Sequence, residues 1–210
     1  MKYFDNVSSI LKDDICVEIK KDARVSIASA CFSIYAFESL KKQLENIDEL
    51  RFVFTSPTFT KNKATKEKRE FYIPRLNREK GLYGTEFEVK LRNELMQKAI
   101  AKECADWIKN KVHFKSNQTD KAIPHFIALE NKKSSILHKE SCCAYAPVNG
   151  FTTVDLGCER GNDYCSIINK FEGESEAKNY INRFNEIWND KDLLQDVTDE
   201  LIENISNVYS

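Results

Sequence analysis

Apolar residues along this chain change rhythm from segment to segment, and the rhythm predicts the elements. Val25 to Ile34 (VSIASACFSI) is nearly all apolar or small and too short for a typical buried helix, which predicts a buried strand. Phe37, Leu40, Leu44 and Ile47 then fall on one face of a helix, and Leu50 to Thr55 (LRFVFT) predicts a second strand, stopped by Ser56-Pro57. Strand, helix and strand with short joints make a βαβ unit, with a parallel pair and a right-handed crossover.

Further along, Thr85 and Glu88 fit a capping box. Phe87, Leu91, Leu95, Ile100, Cys104, Trp107 and Ile108 line one side of a long helix reaching about Lys111. Val112 and Phe114 alternate with polar neighbours as a short strand does, and Phe126 to Leu129 and Thr152 to Leu156 are further candidate strands. Near the end, Tyr180, Ile181, Phe184, Ile187 and Trp188 form one helical stripe, and Leu194, Val197, Leu201, Ile205 and Val208 form a second. The second stripe reaches the end of the chain without a stop signal, so the chain is expected to be the front part of a longer protein. The elements together give an α/β fold: a mixed, largely parallel β-sheet flanked by helices, with C-terminal helices.

Composition narrows this picture. The 210 residues contain only 6 Gly and 4 Pro, with no low-complexity tract or repeat, so residues 1–210 are expected to share one core as a single domain. No apolar stretch reaches the roughly 18 residues of a membrane span, and the first residues lack an apolar signal core, which points to a cytoplasmic protein without membrane association. Seven cysteines without disulfide-scaffold spacing fit a reducing compartment.

The net charge of −1 conceals a segregation. The excursion 58–80 carries Lys61, Lys63, Lys66, Lys68, Arg69, Arg75, Arg78 and Lys80 against Glu67, Glu70 and Glu79, with Phe59, Phe71 and Tyr72 interleaved. The tail 174–210 is acidic and helical in pattern. A basic segment with aromatic faces is suited to nucleic acid, which makes Lys61, Lys63, Lys66, Lys68, Arg69, Arg75 and Arg78 candidate DNA contacts. Two solvated faces of opposite sign explain the same pattern without any ligand.

Motifs that are missing also inform. There is no GxxxxGK[ST], GxGxxG, HExxH or GxSxG, so this segment holds no nucleotide-driven motor and needs no cofactor of its own. His138, Cys142, Cys143, Cys158 and Cys165 cluster in sequence, but without a CxxC pair the cysteines read as buried free thiols rather than zinc ligands.

The string HFKSNQTD, residues 113–120, is a literal H-x-K-x-x-x-x-D formed by His113, Lys115 and Asp120. It is the signature of the phospholipase D superfamily, in which a histidine attacks phosphorus and a lysine binds phosphate oxygens. The stretch Pro147 to Gly157 (PVNGFTTVDLG) is similar to the element that follows that motif in the superfamily. On the register this stretch sets, the catalytic strand is Pro124 to Leu129. His125 then stands at the histidine position and Ile127 at the lysine position, with Asn149, Thr152 and Thr153 completing a degenerate phosphate site.

Across nearly the whole chain, FDNVSSILKDD, VSIASACFSIYAFESLKKQL, LRFVFTSPTF, KREFYIPR, YGTEFEVKLRNELMQKAIAKECADWIKNKV and APVNGFTTVDLG resemble the phospholipase-D-like N-terminal domain of bacterial Swi/Snf or DEAD/DEAH-box type helicases. The resemblance implies a single phospholipase-D-like half, with a helicase motor in the same polypeptide using ATP and Mg. It also implies DNA as partner and a non-catalytic accessory role in DNA engagement or motor positioning. The alternative is a metal-independent phosphodiesterase or nuclease in which a homodimer brings two His-Lys-Asp halves together.

Overall fold

Strands from near the two ends of the chain form opposite edges of one eight-stranded sheet. The computed structural model describes residues 2–57, 60–61, 71–72, 94–133, 136, 139–160 and 167–207. The first half contains β1 (Lys2–Phe4), α1 (Leu11–Glu18), β2 (Arg24–Ser29), α2 (Ile34–Ser39), α3 (Lys41–Leu44), β3 (Glu49–Phe54), β4 (Thr60–Lys61) and β5 (Phe71–Tyr72). The second half contains α4 (Glu94–Lys111), β6 (Val112–Asn117), β7 (Phe126–Asn131), β8 (Ser141–Ala146), β9 (Ile168–Phe171), α5 (Glu174–Trp188), β10 (Leu194–Asp196) and α6 (Thr198–Ser206). Among the described residues, strands β4 and β5 pair only with each other. The remaining strands follow the order β1-β9-β8-β7-β2-β3-β6-β10.

The βαβ expectation holds: β2 pairs parallel with β3 from Arg24↔Glu49 to Ser29↔Phe54, and β3 pairs parallel with β6. The expectation of a largely parallel sheet does not hold, because every other neighbouring pair in this sheet is antiparallel. Parallel neighbours need a crossover of about a dozen residues or more. Residues 118–125 are too few for one, so β7 returns on the far side of β2, running against it. Hence β6 and β7 are not adjacent; β3 and β2 lie between them.

Several predicted elements end elsewhere. The strand expected over Val25–Ile34 stops at Ser29, and Ser33 caps α2 by accepting the Tyr35 amide with its hydroxyl. The helix expected through Ile47 breaks at Leu40, yet Phe37, Leu40, Leu44 and Ile47 are all buried as their spacing requires. Residues 152–156 form turns rather than a strand, because the Thr152 hydroxyl engages both the amide and carboxylate of Asp155, a local partner that competes with a ladder. Leu194 belongs to β10, paired with Asn117, and not to the last helix. The expected capping box at Thr85 and Glu88 lies outside the described residues.

Two apolar layers cover the sheet. On one face Phe32 packs edge-on to Phe52 and Phe114 at centroid distances of 5.6 and 5.1 Å, within a core shared by α1, α2, α4 and α6. On the other face α5 lays Ile181, Phe184 and Ile187 over Ala28, Val53, Phe126 and Ala128. Under α5, Arg51 sits 4.8 Å from the Phe184 ring centroid and donates to Ser26 Oγ at 2.9 Å. Burial lowers its guanidinium to about 10, which leaves it charged at neutral pH. Among the described residues no helix is long and apolar enough to cross a membrane, and the six described cysteines are free thiols.

The β1–β9 edge is fastened to α1 by charge. The Lys170 side chain, 1% exposed, contacts Asp14 and Glu18 at 2.9 Å each and Glu172 at 3.1 Å, while the Tyr145 hydroxyl donates to Asp14 at 2.6 Å. Burial alone would depress the Lys170 ammonium, but its three carboxylates more than reverse that and hold it above the ordinary lysine value. For Asp14, burial pushes up while hydrogen bonds from Tyr145, Lys170 and Lys2 prevail and hold the carboxyl below its usual value. Lys170→Ala leaves half-buried carboxylates without their cation and is expected to lower unfolding stability by about 3 kcal/mol in urea titrations. Because the folded Asp14 value is depressed, its contribution is complete above the ordinary carboxylate range and is lost as pH falls through the folded value. The wild-type advantage over Asp14→Asn should therefore shrink on acidification below about pH 4.

Candidate functional site

The parallel strands β2 and β3 end at one edge of the sheet, where open α/β folds place ligands. Residues 118–125 run along that edge on their way to β7. Between them and the end of β3 lies a cavity of about 500 Å³, walled by Thr55, Pro57, Asn117, Asp120, Lys121 and His125, among others. The Asn117 amide fixes both walls, donating to the Thr55 carbonyl at 2.9 Å and to the Lys121 carbonyl at 2.8 Å.

His125 occupies the centre of a relay. Its Nε2 lies 2.8 Å from Thr55 Oγ1, and its Nδ1 lies 3.3 Å from Asn149 Oδ1. A carbonyl oxygen only accepts, so this orientation of the Asn149 amide places a proton on Nδ1. In that tautomer Nε2 is the acceptor side of the contact with the Thr55 hydroxyl.

Backbone bonds aim Asn149 at the ring. Its carbonyl accepts from Ala30 N at 2.9 Å, the Val148 carbonyl accepts from Ser29 Oγ at 2.8 Å, and Phe151 N donates to the Cys31 carbonyl at 2.9 Å. The extension of β2 thus holds the 147–151 loop on both sides of Asn149. A Cβ at Gly150 would lie 2.7 Å from Asp155 Oδ2 and 2.8 Å from Cys31 Sγ, so a larger residue there requires those side chains or the loop to give way.

Of the degenerate phosphate-site candidates, the structure brings His125 and Asn149 together. Thr152 and Thr153 are buried, with their hydroxyls bonded to Asp155 at 2.7 Å and Glu159 at 3.1 Å. Ile127 points into the main core and is 1% exposed.

The residues of the H-x-K-x-x-x-x-D string go separate ways. His113 and Lys115 share one face of β6, and His113 is exposed. Lys115 Nζ donates to the Trp188 carbonyl at 2.9 Å, at the C-terminus of α5, and lies 4.4 Å from the Trp188 ring centroid. Burial holds that ammonium below the ordinary lysine value. Asp120 lies on the wall of the His125 cavity, away from Lys115's partner.

Lys61 is placed by its backbone opposite Phe71. Its side chain, and Lys63, Lys66, Lys68, Arg69, Arg75 and Arg78, lie outside the described residues, as do His138 and Cys165. Among the described residues no group of His, Cys, Asp and Glu is arranged to hold a metal ion. Sequence reasoning missed Thr55. Its signal was a hydroxyl residue at the carboxyl end of a parallel strand, just before the strand-stopping Ser56-Pro57. No family model matches the chain, and no curated protein matches it.

Gly150→Ala is expected to push the 147–151 loop outward and to cost about 1–3 kcal/mol in thermal unfolding. The His125 imidazole nitrogen resonances should shift in the same variant as Asn149 withdraws, and an unshifted ring would contradict the fit described for Gly150.

Proposed function

We propose that this chain is a phospholipase-D-like accessory module of an ATP-driven DNA-handling protein, one that engages DNA without phosphodiester chemistry of its own. The observation that carries this reading is the His125–Asn149 pair at the carboxyl edge of the sheet, set beside an apolar core residue at position 127. The pairing supports the superfamily register suggested by PVNGFTTVDLG. The absence of a lysine from position 127 removes the phosphate-binding group of that register.

Two further features favour a silent site. Both ring nitrogens of His125 are already engaged, Nε2 by Thr55 and Nδ1 by Asn149, which leaves neither free to attack phosphorus. Lys121 contributes a positive charge to the cavity wall, but Asp120 beside it offsets that charge. The dimeric phosphodiesterase alternative needs Lys115 free in a cleft, whereas its ammonium is committed to the Trp188 carbonyl.

DNA engagement rests on the basic segment, which begins directly after Pro57 on the cavity wall and carries a surplus of positive charge. Fluorescence anisotropy with labelled single- and double-stranded DNA should show binding at about 50 mM salt that weakens on the order of 10²-fold by about 200 mM. Reversing Lys61, Lys63, Lys66, Lys68 and Arg69 to Glu should remove most of it. Binding that ignores the reversals, or none at low salt, would defeat the reading. Turnover of bis(p-nitrophenyl) phosphate should not exceed that of buffer.

A further inference from the structure

The relay around His125 has a chemical capacity that the accessory role does not use. A hydroxyl within hydrogen-bond reach of an imidazole, with that imidazole oriented by a third group, is the general arrangement of an activated oxygen nucleophile. Thr55 Oγ1 at 2.8 Å from Nε2 supplies the first contact, and Nδ1 at 3.3 Å from Asn149 Oδ1 supplies the second. The three residues come from separate segments, held in place by Asn117 bonding to the Thr55 carbonyl and by Ala30 bonding to the Asn149 carbonyl.

We propose that Thr55 is a nucleophile for acyl transfer, accepting the acyl group of small uncharged carboxylic esters. The cavity decides the substrate class. Its volume of about 500 Å³ admits a small molecule, and Pro57, Ala122 and Ile123 provide apolar wall for a short acyl chain. Lys121 is the cationic side chain among the lining residues, and Asp120 stands next to it. The Lys121 ammonium can polarise a carbonyl oxygen, while one cation with Asp120 beside it lacks the net positive charge a phosphodiester needs, and Asp120 repels anionic substrates.

In the first half-reaction Thr55 Oγ bonds to the carbonyl carbon as its proton passes to Nε2. The bond from that carbon to the leaving oxygen then breaks, and the Nε2 proton moves to the departing alkoxide. In the second half-reaction water, deprotonated by Nε2, attacks the Thr55 ester; the carboxylic acid leaves and the proton returns to Thr55 Oγ. Asn149 acts as a positioning residue, holding the proton on Nδ1 so that Nε2 remains the acceptor. This capacity does not depend on DNA engagement, and each can fail without the other.

The test is acetylation of the full chain by p-nitrophenyl acetate near neutral pH, read by peptide mapping at the fragment containing Thr55. Wild-type protein should carry an acetyl group on Thr55, and Thr55→Ser should carry it on Ser, which also checks that substitution at this position leaves the protein folded. His125→Gln should lower the labelling rate at Thr55 about 100-fold, and Asn149→Ala should lower it too. Acetyl groups confined to lysines and cysteines, or Thr55 labelling that is indifferent to His125→Gln, would overturn the proposal.

Discussion

The connection between β6 and β7 is too short to carry a covering helix, and the site depends on that constraint. Residues 118–125 must cross the carboxyl ends of β3 and β2 before the chain can turn down as β7 against β2. The crossing reverses the strand direction and ends parallel pairing on that side of the sheet. It also supplies one wall of the cavity and delivers His125 opposite Thr55. A longer, helical crossover would have covered a sheet face and left this edge without its second wall.

Buried charge in this fold is handled in three ways. Lys170 is met by Asp14, Glu18 and Glu172, an arrangement whose value lies chiefly in the cost of breaking it. Arg51 lies beneath Phe184 and Trp188, where the ring faces and the Ser26 hydroxyl compensate part of its desolvation. Lys115 reaches a carbonyl at the C-terminus of α5, where the helix dipole favours a cation. The same α5 therefore covers the second apolar layer and engages two cations of the sheet, which ties its packing to the electrostatics of β3 and β6.

His125 is held at both nitrogens, by Thr55 on one side and Asn149 on the other. Attack by histidine on phosphorus requires a free ring nitrogen and an adjacent cation. The structure instead gives Nε2 a hydroxyl partner and position 127 an isoleucine. The same contact is the one on which the proposed role of the Thr55 hydroxyl rests.

Much of the centre of the fold was legible in the sequence, because apolar periodicity reports burial directly. VSIASACFSI, LRFVFT and the stripe of α4 and α5 mark β2, β3 and their covering helices, and the short joints imply the parallel β2–β3 pair. The resemblance put His125, Asn149, Thr152 and Thr153 in one candidate set, of which the fold brings His125 and Asn149 into contact.

Other features depended on contacts distant along the chain. SCCAYA and INKF carry weak apolar patterns and become β8 and β9 only beside partners that complete their ladders. Leu194 looks helical by spacing but pairs with Asn117, because the exposed side of β6 offers it backbone partners. Thr55 reads as the last residue of a strand, and its role appears once β7 brings an imidazole to it across the end of the sheet. Local pattern settled which residues are buried and in what rhythm. The direction of β7, and with it the contact of His125 with Thr55, was decided by the span that residues 118–125 had to bridge.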